Sequence, residues 1–98
     1  MSFLRVDYDR AIAQAKKLDA AADMCRKALN DLNRDRNASE AVWVGESGDA
    51  MRMQMQAAVK ELDSTRSQLT AIAASIRRVA EELKKKDEEM RRKINSFG

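Results

Sequence analysis

The chain has 98 residues, which is near the lower limit at which a single hydrophobic core stabilises a domain, so we expect one domain that gains stability from a partner. Its 19 lysines and arginines nearly balance 16 aspartates and glutamates, and this balance argues against a uniformly basic surface for nucleic acid. The absence of histidine, the single cysteine and the lack of a glycine-rich phosphate loop leave no catalytic, metal or cofactor-binding set, so we expect no enzyme.

The N-terminal residues lack the apolar segment of a secretory signal peptide. No apolar run approaches the roughly 20 residues that cross a bilayer as a helix. We therefore expect either an intracellular chain or one exported by a route that accepts cargo without a cleaved signal.

The first predicted helix spans about 7–36. A chain with no proline and only three glycines favours an all-α fold. Asp7 is a suitable N-cap, and the asparagine-rich segment 33–37 is the expected end. Apolar residues at alternating steps of three and four form one face: Tyr8, Ala11, Ala15, Leu18, Ala22, Cys25, Leu29 and Leu32. Because Cys25 lies on this face, we expect it to act as a small buried hydrophobe.

The segment 38–48 is the predicted turn, since it holds two of the three glycines. Ser47 is the expected cap of the next helix, with Glu46 and Asp49 placing negative charge at its positive end. A single short connection between two long helices favours an antiparallel hairpin. Trp43 is either a large anchor for recognition or a structural plug of this turn.

The second predicted helix spans about 49–95 and carries a wider apolar face. Its main series, broken only at Thr65 and Lys86, is Met51, Met55, Ala58, Leu62, Thr65, Leu69, Ile72, Ile76, Val79, Leu83, Lys86 and Met90. A second line of small or apolar residues, Val59, Ala73 and Ala80, runs beside this main series. Exposed apolar surface costs roughly 25 cal/mol per Å², so we expect two such hairpins to pair in a four-helix bundle. The residues expected in the hairpin and dimer core are Leu18, Ala22, Cys25, Leu29, Leu32, Met55, Leu62, Leu69, Ile72, Ile76 and Val79.

The charged end of this helix begins at about Lys84. It carries oppositely charged pairs at i,i+4 spacing with the acidic residue on the N-terminal side, such as Asp87 with Arg91. These pairs predict a solvated, self-supporting helix. The alternative is a basic patch for lipid or nucleic acid, which the alternating charges disfavour.

The stretch Trp43-Val44-Gly45-Glu46-Ser47, midway between two long helices, resembles the Trp-X-Gly (WXG) family of early secreted antigen-like type VII secretion substrates. The resemblance spans nearly the whole chain, from Val6-Asp7-Tyr8 to Leu69-Thr70-Ala71-Ile72-Ala73. It implies a homodimer or heterodimer with a related helical hairpin. It also implies export from a cytoplasmic pool, without a cleaved signal peptide, by an ATPase-driven membrane machine.

The family's composite export signal joins the tryptophan and glycine to a C-terminal tyrosine that an acidic residue follows four positions later. Trp43 and Gly45 match the first part. The only tyrosine is Tyr8, so the nearest match to the second part is Leu83 followed by Asp87.

Two other functions remain open for the chain. It is either a chaperone that binds the N-terminal domain of a larger toxin without itself being exported, or a cytoplasmic coiled-coil structural protein. None of these functions predicts nucleic-acid binding, and membrane contact is expected only through the secretion machine.

Overall fold

Two long helices make up the fold. The computed structural model describes residues 3–97, with side chains for 7–40 and 42–97. Helix α1 (Phe3–Val42) and helix α2 (Gly45–Phe97) are joined by Trp43 and Val44. The described residues contain no strand. The predicted all-α helix-turn-helix is thus confirmed.

Both helices are longer than predicted, and the turn is correspondingly shorter. Helix α1 continues through segment 33–37 to Val42, and α2 already begins at Gly45. The predicted turn 38–48 therefore shrinks to two residues. Asparagine lowers helix stability by no more than about 0.7 kcal/mol per residue, which a long packed helix tolerates. The predicted N-caps were also wrong, because both helices begin earlier than predicted. Asp7 lies inside α1, and Ser47 lies in the first turn of α2.

The chain forms two compact units. Unit 1 contains the described residues of Met1–Asp19 and Thr70–Gly98, and unit 2 is Ala20–Leu69. In unit 1 the beginning of α1 pairs with the second half of α2. The Tyr8 hydroxyl donates to Glu81 at 2.5 Å, and Arg77 donates to Asp19. As residue numbers rise along α1 their partners fall along α2, so the two helices of unit 1 are antiparallel.

Alanines form the buried layer of unit 1. Ala15 and Ala73 are 0% exposed and Ala80 is 5% exposed. Side chains this small let two helix backbones approach closely. The large apolar side chains beside them stay half exposed, with Ile72 at 50% and Val79 at 47%. The line of small residues predicted beside the main series is therefore the one that packs against α1.

Unit 2 is built around the turn, and it buries Ala22, Leu29 and Ser39. The Ser39 hydroxyl stays within α1 by donating to the Arg36 carbonyl at 2.7 Å.

Among the described residues of the whole chain, no large side chain is completely buried. Of the predicted core, the following are half buried: Leu18, Cys25, Leu32, Met55, Leu62, Leu69 and Ile76. A layer only two helices thick therefore leaves part of each unit's apolar surface in contact with solvent.

Candidate functional site

The tripeptide Trp43-Val44-Gly45 reverses the chain between the helices. The Trp43 amide still donates to the Ser39 carbonyl at 2.8 Å, so α1 keeps its hydrogen-bonding pattern up to this residue. Gly45 then takes a φ of +84°, in the left-handed region that residues with a Cβ rarely adopt. No heavy atom lies within 4 Å of a Cβ built on Gly45, so this position requires glycine for backbone conformation and not for space.

Gly48 has the complementary role, because it provides space. A Cβ on this buried residue would lie 2.9 Å from both the carbonyl carbon and the carbonyl oxygen of Trp43. Real Cβ atoms do not approach backbone so closely, so a side chain here would push the first turn of α2 away from Trp43. The sequence offered one signal for this role, a second glycine in the predicted turn, but its contact with Trp43 depends on the path of the chain.

Arg52 holds the end of α1 from the second turn of α2. Its Nη1 donates to the Trp43 carbonyl at 2.8 Å, and its Nη2 donates to Asp49 at 2.5 Å. The last carbonyls of a helix lack partners within the helix and carry partial negative charge. A guanidinium that bonds such a carbonyl therefore satisfies a hydrogen-bond acceptor, and its positive charge is attracted to the partial negative charge at the helix end.

The side chains of this turn remain accessible although its backbone is fixed. Trp43 is 45% exposed, and its neighbours Val42 and Val44 are 74% and 82% exposed. Three consecutive apolar side chains at a helix end cost free energy when they face water. A rigid backbone that presents an exposed indole has the properties of a recognition surface.

A second feature is an open apolar groove in unit 1, with a volume of about 530 Å³. Tyr8 and Ala11 line it from α1. Ile72, Ile76, Val79 and Leu83 line it from α2. We call this feature the unit 1 groove. The α2 residues that line the groove recur at helical spacing, so they form a surface that fits the apolar face of another helix.

Tyr8 is fixed at the edge of the unit 1 groove by two side chains of α2. Its hydroxyl donates to Glu81, and the Lys84 ammonium lies 4.7 Å from the ring centroid. The hydrogen bond to Glu81 is the main cause that raises the pKa of Tyr8 above its ordinary value of 10.0. Burial and the negative charges of Glu81 and Asp9 act in the same direction.

The ionisation of Tyr8 therefore reports whether α1 and α2 are in contact within unit 1. A folded-state pKa above the unfolded value stabilises the protein below about pH 10, and this contribution is lost as the pH rises through the folded-state pKa. Tyr8 is the sole tyrosine, so its tyrosinate absorbance can be titrated directly. We expect a higher midpoint in the native protein than in concentrated guanidinium chloride.

Replacement of Glu81 by alanine should lower the native midpoint of Tyr8, whereas Glu82→Ala, at an exposed neighbouring residue, should leave it in place. Identical midpoints for the native and denatured protein would show that the Tyr8 hydroxyl does not bond Glu81 in solution.

The residues predicted for recognition fall in both units. Trp43 and Gly45 lie in unit 2, where Arg52 bonds the Trp43 carbonyl and Gly48 lies close to the same group. Leu83 and Asp87 lie in unit 1. Leu83 lines the groove and is 52% exposed. Asp87 pairs with Arg91 at 3.4 Å, as its i,i+4 spacing predicts.

Other kinds of site are sparse in the described part of the chain. Residues 7–40 and 42–97 hold no group of three or more histidine, cysteine, aspartate or glutamate side chains close enough to bind a metal ion. Neither described helix contains a stretch apolar enough to cross a membrane. Cys25 is a free, half-buried thiol in unit 2.

A family model described as WXG100, proteins of 100 residues with WXG, matches residues 4–88. The match covers nearly all of α1, the turn at Trp43 and α2 as far as residue 88. Members of this family are small helical proteins of type VII secretion and are typically secreted by these systems. No curated protein and no solved structure matches the chain significantly. The length of the family match, together with the fold and the Trp43-Val44-Gly45 turn, establishes that the chain belongs to the WXG100 family.

Proposed function

We propose that this chain is a non-enzymatic cargo protein of a type VII secretion system, exported in a pair with a second helical hairpin. The observation that carries the proposal is the distribution of apolar residues in unit 1. Alanines fill its buried layer, while Ile72, Val79 and Leu83 stay about half exposed along a groove. This arrangement leaves the larger side chains for contact with a partner.

The second hairpin occupies the unit 1 groove with a helix of its own. Burial of apolar surface contributes roughly 25 cal/mol per Å², and the half-exposed side chains along α2 are the surface that gains most from contact. Two antiparallel helices in each partner then give a four-helix bundle. The partner is either a second copy of this chain or a related hairpin.

Trp43 and Gly45 form the recognition element of the proposed export signal. Trp43 presents a half-exposed indole, and Gly45 gives the backbone conformation that ends α1 and starts α2. Leu83 and Asp87 are the nearest match to the tyrosine and acidic residue of the family's C-terminal element. The ATPase of the secretion machine reads this signal, and the chain leaves the cytoplasmic pool without a cleaved signal peptide.

A second candidate function follows from the missing C-terminal tyrosine, since the single tyrosine of the sequence is Tyr8. In this version the chain is a chaperone for a larger effector whose N-terminal domain resembles the hairpin, and the chain itself stays in the cell. The effector then supplies the tyrosine. A purely structural coiled coil is disfavoured, because a structural spacer does not need an exposed indole on a fixed turn.

Export of a Trp43→Ala variant tests the proposed function. A recognition residue of the hot-spot kind contributes more than about 2 kcal/mol, so secretion should fall by at least about tenfold. Helicity measured by circular dichroism should not change, because Trp43 lies between the helices. Secreted and cellular protein are measured by immunoblotting in a bacterium with an active type VII system.

Met24→Ala is the matched control, since Met24 is a large apolar residue of α1 with 70% exposure outside the turn. Normal export of Trp43→Ala would refute the recognition role. Wild-type chain that stays in the cell while its loss blocks export of an effector would instead establish the chaperone function.

A further inference from the structure

We infer that the recognition element extends beyond Trp43 and Gly45 to Gly48 and Arg52, with Arg52 as a positioning residue for Trp43. The inference rests on the proposed function, because it assumes that the turn is the part of the chain that a partner recognises. It adds two residues that lie outside the Trp-X-Gly tripeptide.

The two glycines of the turn, Gly45 and Gly48, have different roles. Gly45 supplies the left-handed backbone, with no heavy atom close to a Cβ built there. Gly48 supplies close approach, since a Cβ there would lie 2.9 Å from the Trp43 carbonyl oxygen. The tripeptide alone therefore gives the reversal, and Gly48 allows the first turn of α2 to reach the end of α1.

The second step is the bond that this close approach permits. With α2 against the end of α1, the Arg52 guanidinium reaches the Trp43 carbonyl at 2.8 Å. Asp49 orients the same guanidinium from one turn earlier, at 2.5 Å. The side chain of Arg52 is 26% exposed, so the bond is partly shielded from water. Charge-assisted hydrogen bonds of this kind are stronger than neutral ones.

The third step connects the backbone of Trp43 to its side chain. Trp43 is held through its amide by Ser39 and through its carbonyl by Arg52. With both peptide groups fixed, the Cα–Cβ direction of Trp43 is fixed, and the exposed indole is left with only its two side-chain torsions. Such pre-organisation lowers the conformational entropy that a partner's binding must overcome.

Arg66 provides a matched control within the same helix. It bonds Asp63 at 2.8 Å with the same i,i+3 spacing, and its side chain is 30% exposed. The pair thus reproduces the Arg52–Asp49 contact in charge, spacing and approximate exposure, about four turns along α2 beyond Arg52. Comparison of Arg52 and Arg66 variants separates the effect of the bond to Trp43 from the effect of losing an i,i+3 ion pair.

Amide hydrogen exchange of the full-length protein tests the inference directly. In Arg52→Gln, the Trp43 amide should exchange roughly tenfold faster, as expected for the loss of a charged hydrogen bond at the end of α1. Arg66→Gln should leave that rate unchanged. Arg52→Lys should give an intermediate rate, because an ammonium keeps the charge but lacks the planar fork.

The Leu29 amide in the buried part of unit 2 serves as the internal reference for overall stability. Faster exchange at Trp43 with an unchanged rate at Leu29 supports a positioning role for Arg52. Equal changes at both amides, or equal rates at Trp43 in the Arg52 and Arg66 variants, would overturn it. Gly48→Ala should also accelerate exchange at Trp43, whereas Ser47→Ala, at an exposed neighbour, should not.

Export assays then separate this inference from the proposed function. Loss of export in both Trp43→Ala and Arg52→Gln, with Arg66→Gln exported normally, supports the extended element. Loss in Trp43→Ala alone would overturn the role of Arg52 in recognition. Normal export of Trp43→Ala would refute the proposed function, while the exchange rates still decide whether Arg52 fixes the turn.

Discussion

Replacement of Ala73 by leucine is expected to lower the melting temperature of the protein by about 4–24 °C. Ala73 is 0% exposed in the layer where α1 and α2 pack in unit 1. Leucine adds three carbon atoms where the backbones are close, and such overpacking costs roughly 1–3 kcal/mol. For a chain of this size, 1 kcal/mol shifts the melting temperature by about 4–8 °C. Thermal unfolding followed by circular dichroism measures the change.

Ala74→Leu is the matched control for this effect. Ala74 is the next residue of α2 and is exposed, so the same added atoms meet solvent instead of α1. Its melting temperature should stay close to that of the wild type. Similar decreases in both variants would show that Ala73 does not face α1 in the manner described.

Replacement of Ile72 and Val79 together by aspartate is expected to weaken pairing with a second hairpin by at least about a hundredfold. Each side chain is about half exposed. Burial of the remaining exposed surface against a partner therefore stabilises the complex by roughly 1 kcal/mol per residue. An unpaired carboxylate in the same place costs several kcal/mol more. Since 1.4 kcal/mol is a factor of ten, the combined loss exceeds two orders of magnitude. Sedimentation equilibrium measures the dissociation constant.

A double variant with Met24→Asp and Met53→Asp controls for added charge. These methionines are 70% and 72% exposed, both belong to unit 2, and neither lines the unit 1 groove. Their replacement should leave the dissociation constant nearly unchanged. Equal weakening by the two double variants would mean that pairing does not depend on the unit 1 groove.

The helical periodicity of the sequence was enough to predict the fold, but it did not show which line of residues packs inside unit 1. Large apolar residues dominate the pattern, so Ile72 and Val79 were predicted in the core that the hairpin shares with its dimer partner. Within unit 1 the structure buries Ala73 and Ala80 and leaves these larger residues half exposed. The face of α2 that meets α1 depends on the path through the turn, and periodicity alone does not contain that information.

The turn illustrates a second limit of the sequence. Trp43 and Gly45 were recognisable from their spacing and their place between two helices. Gly48 and Arg52 were not, because their roles depend on distances to the Trp43 backbone. The early start of α2 also explains the misplaced cap at Ser47. Local propensities favoured a turn of several residues, whereas one left-handed glycine achieves the reversal in two.

The solution molar mass of the purified chain, measured by light scattering together with its far-ultraviolet circular dichroism, decides whether the half-exposed apolar face of unit 1 needs a second hairpin. We expect a strongly helical species of twice 11.1 kDa if the partner is a second copy. A weakly helical monomer would identify the partner as a different hairpin. A fully helical and thermally stable monomer of 11.1 kDa would contradict the need for a second hairpin.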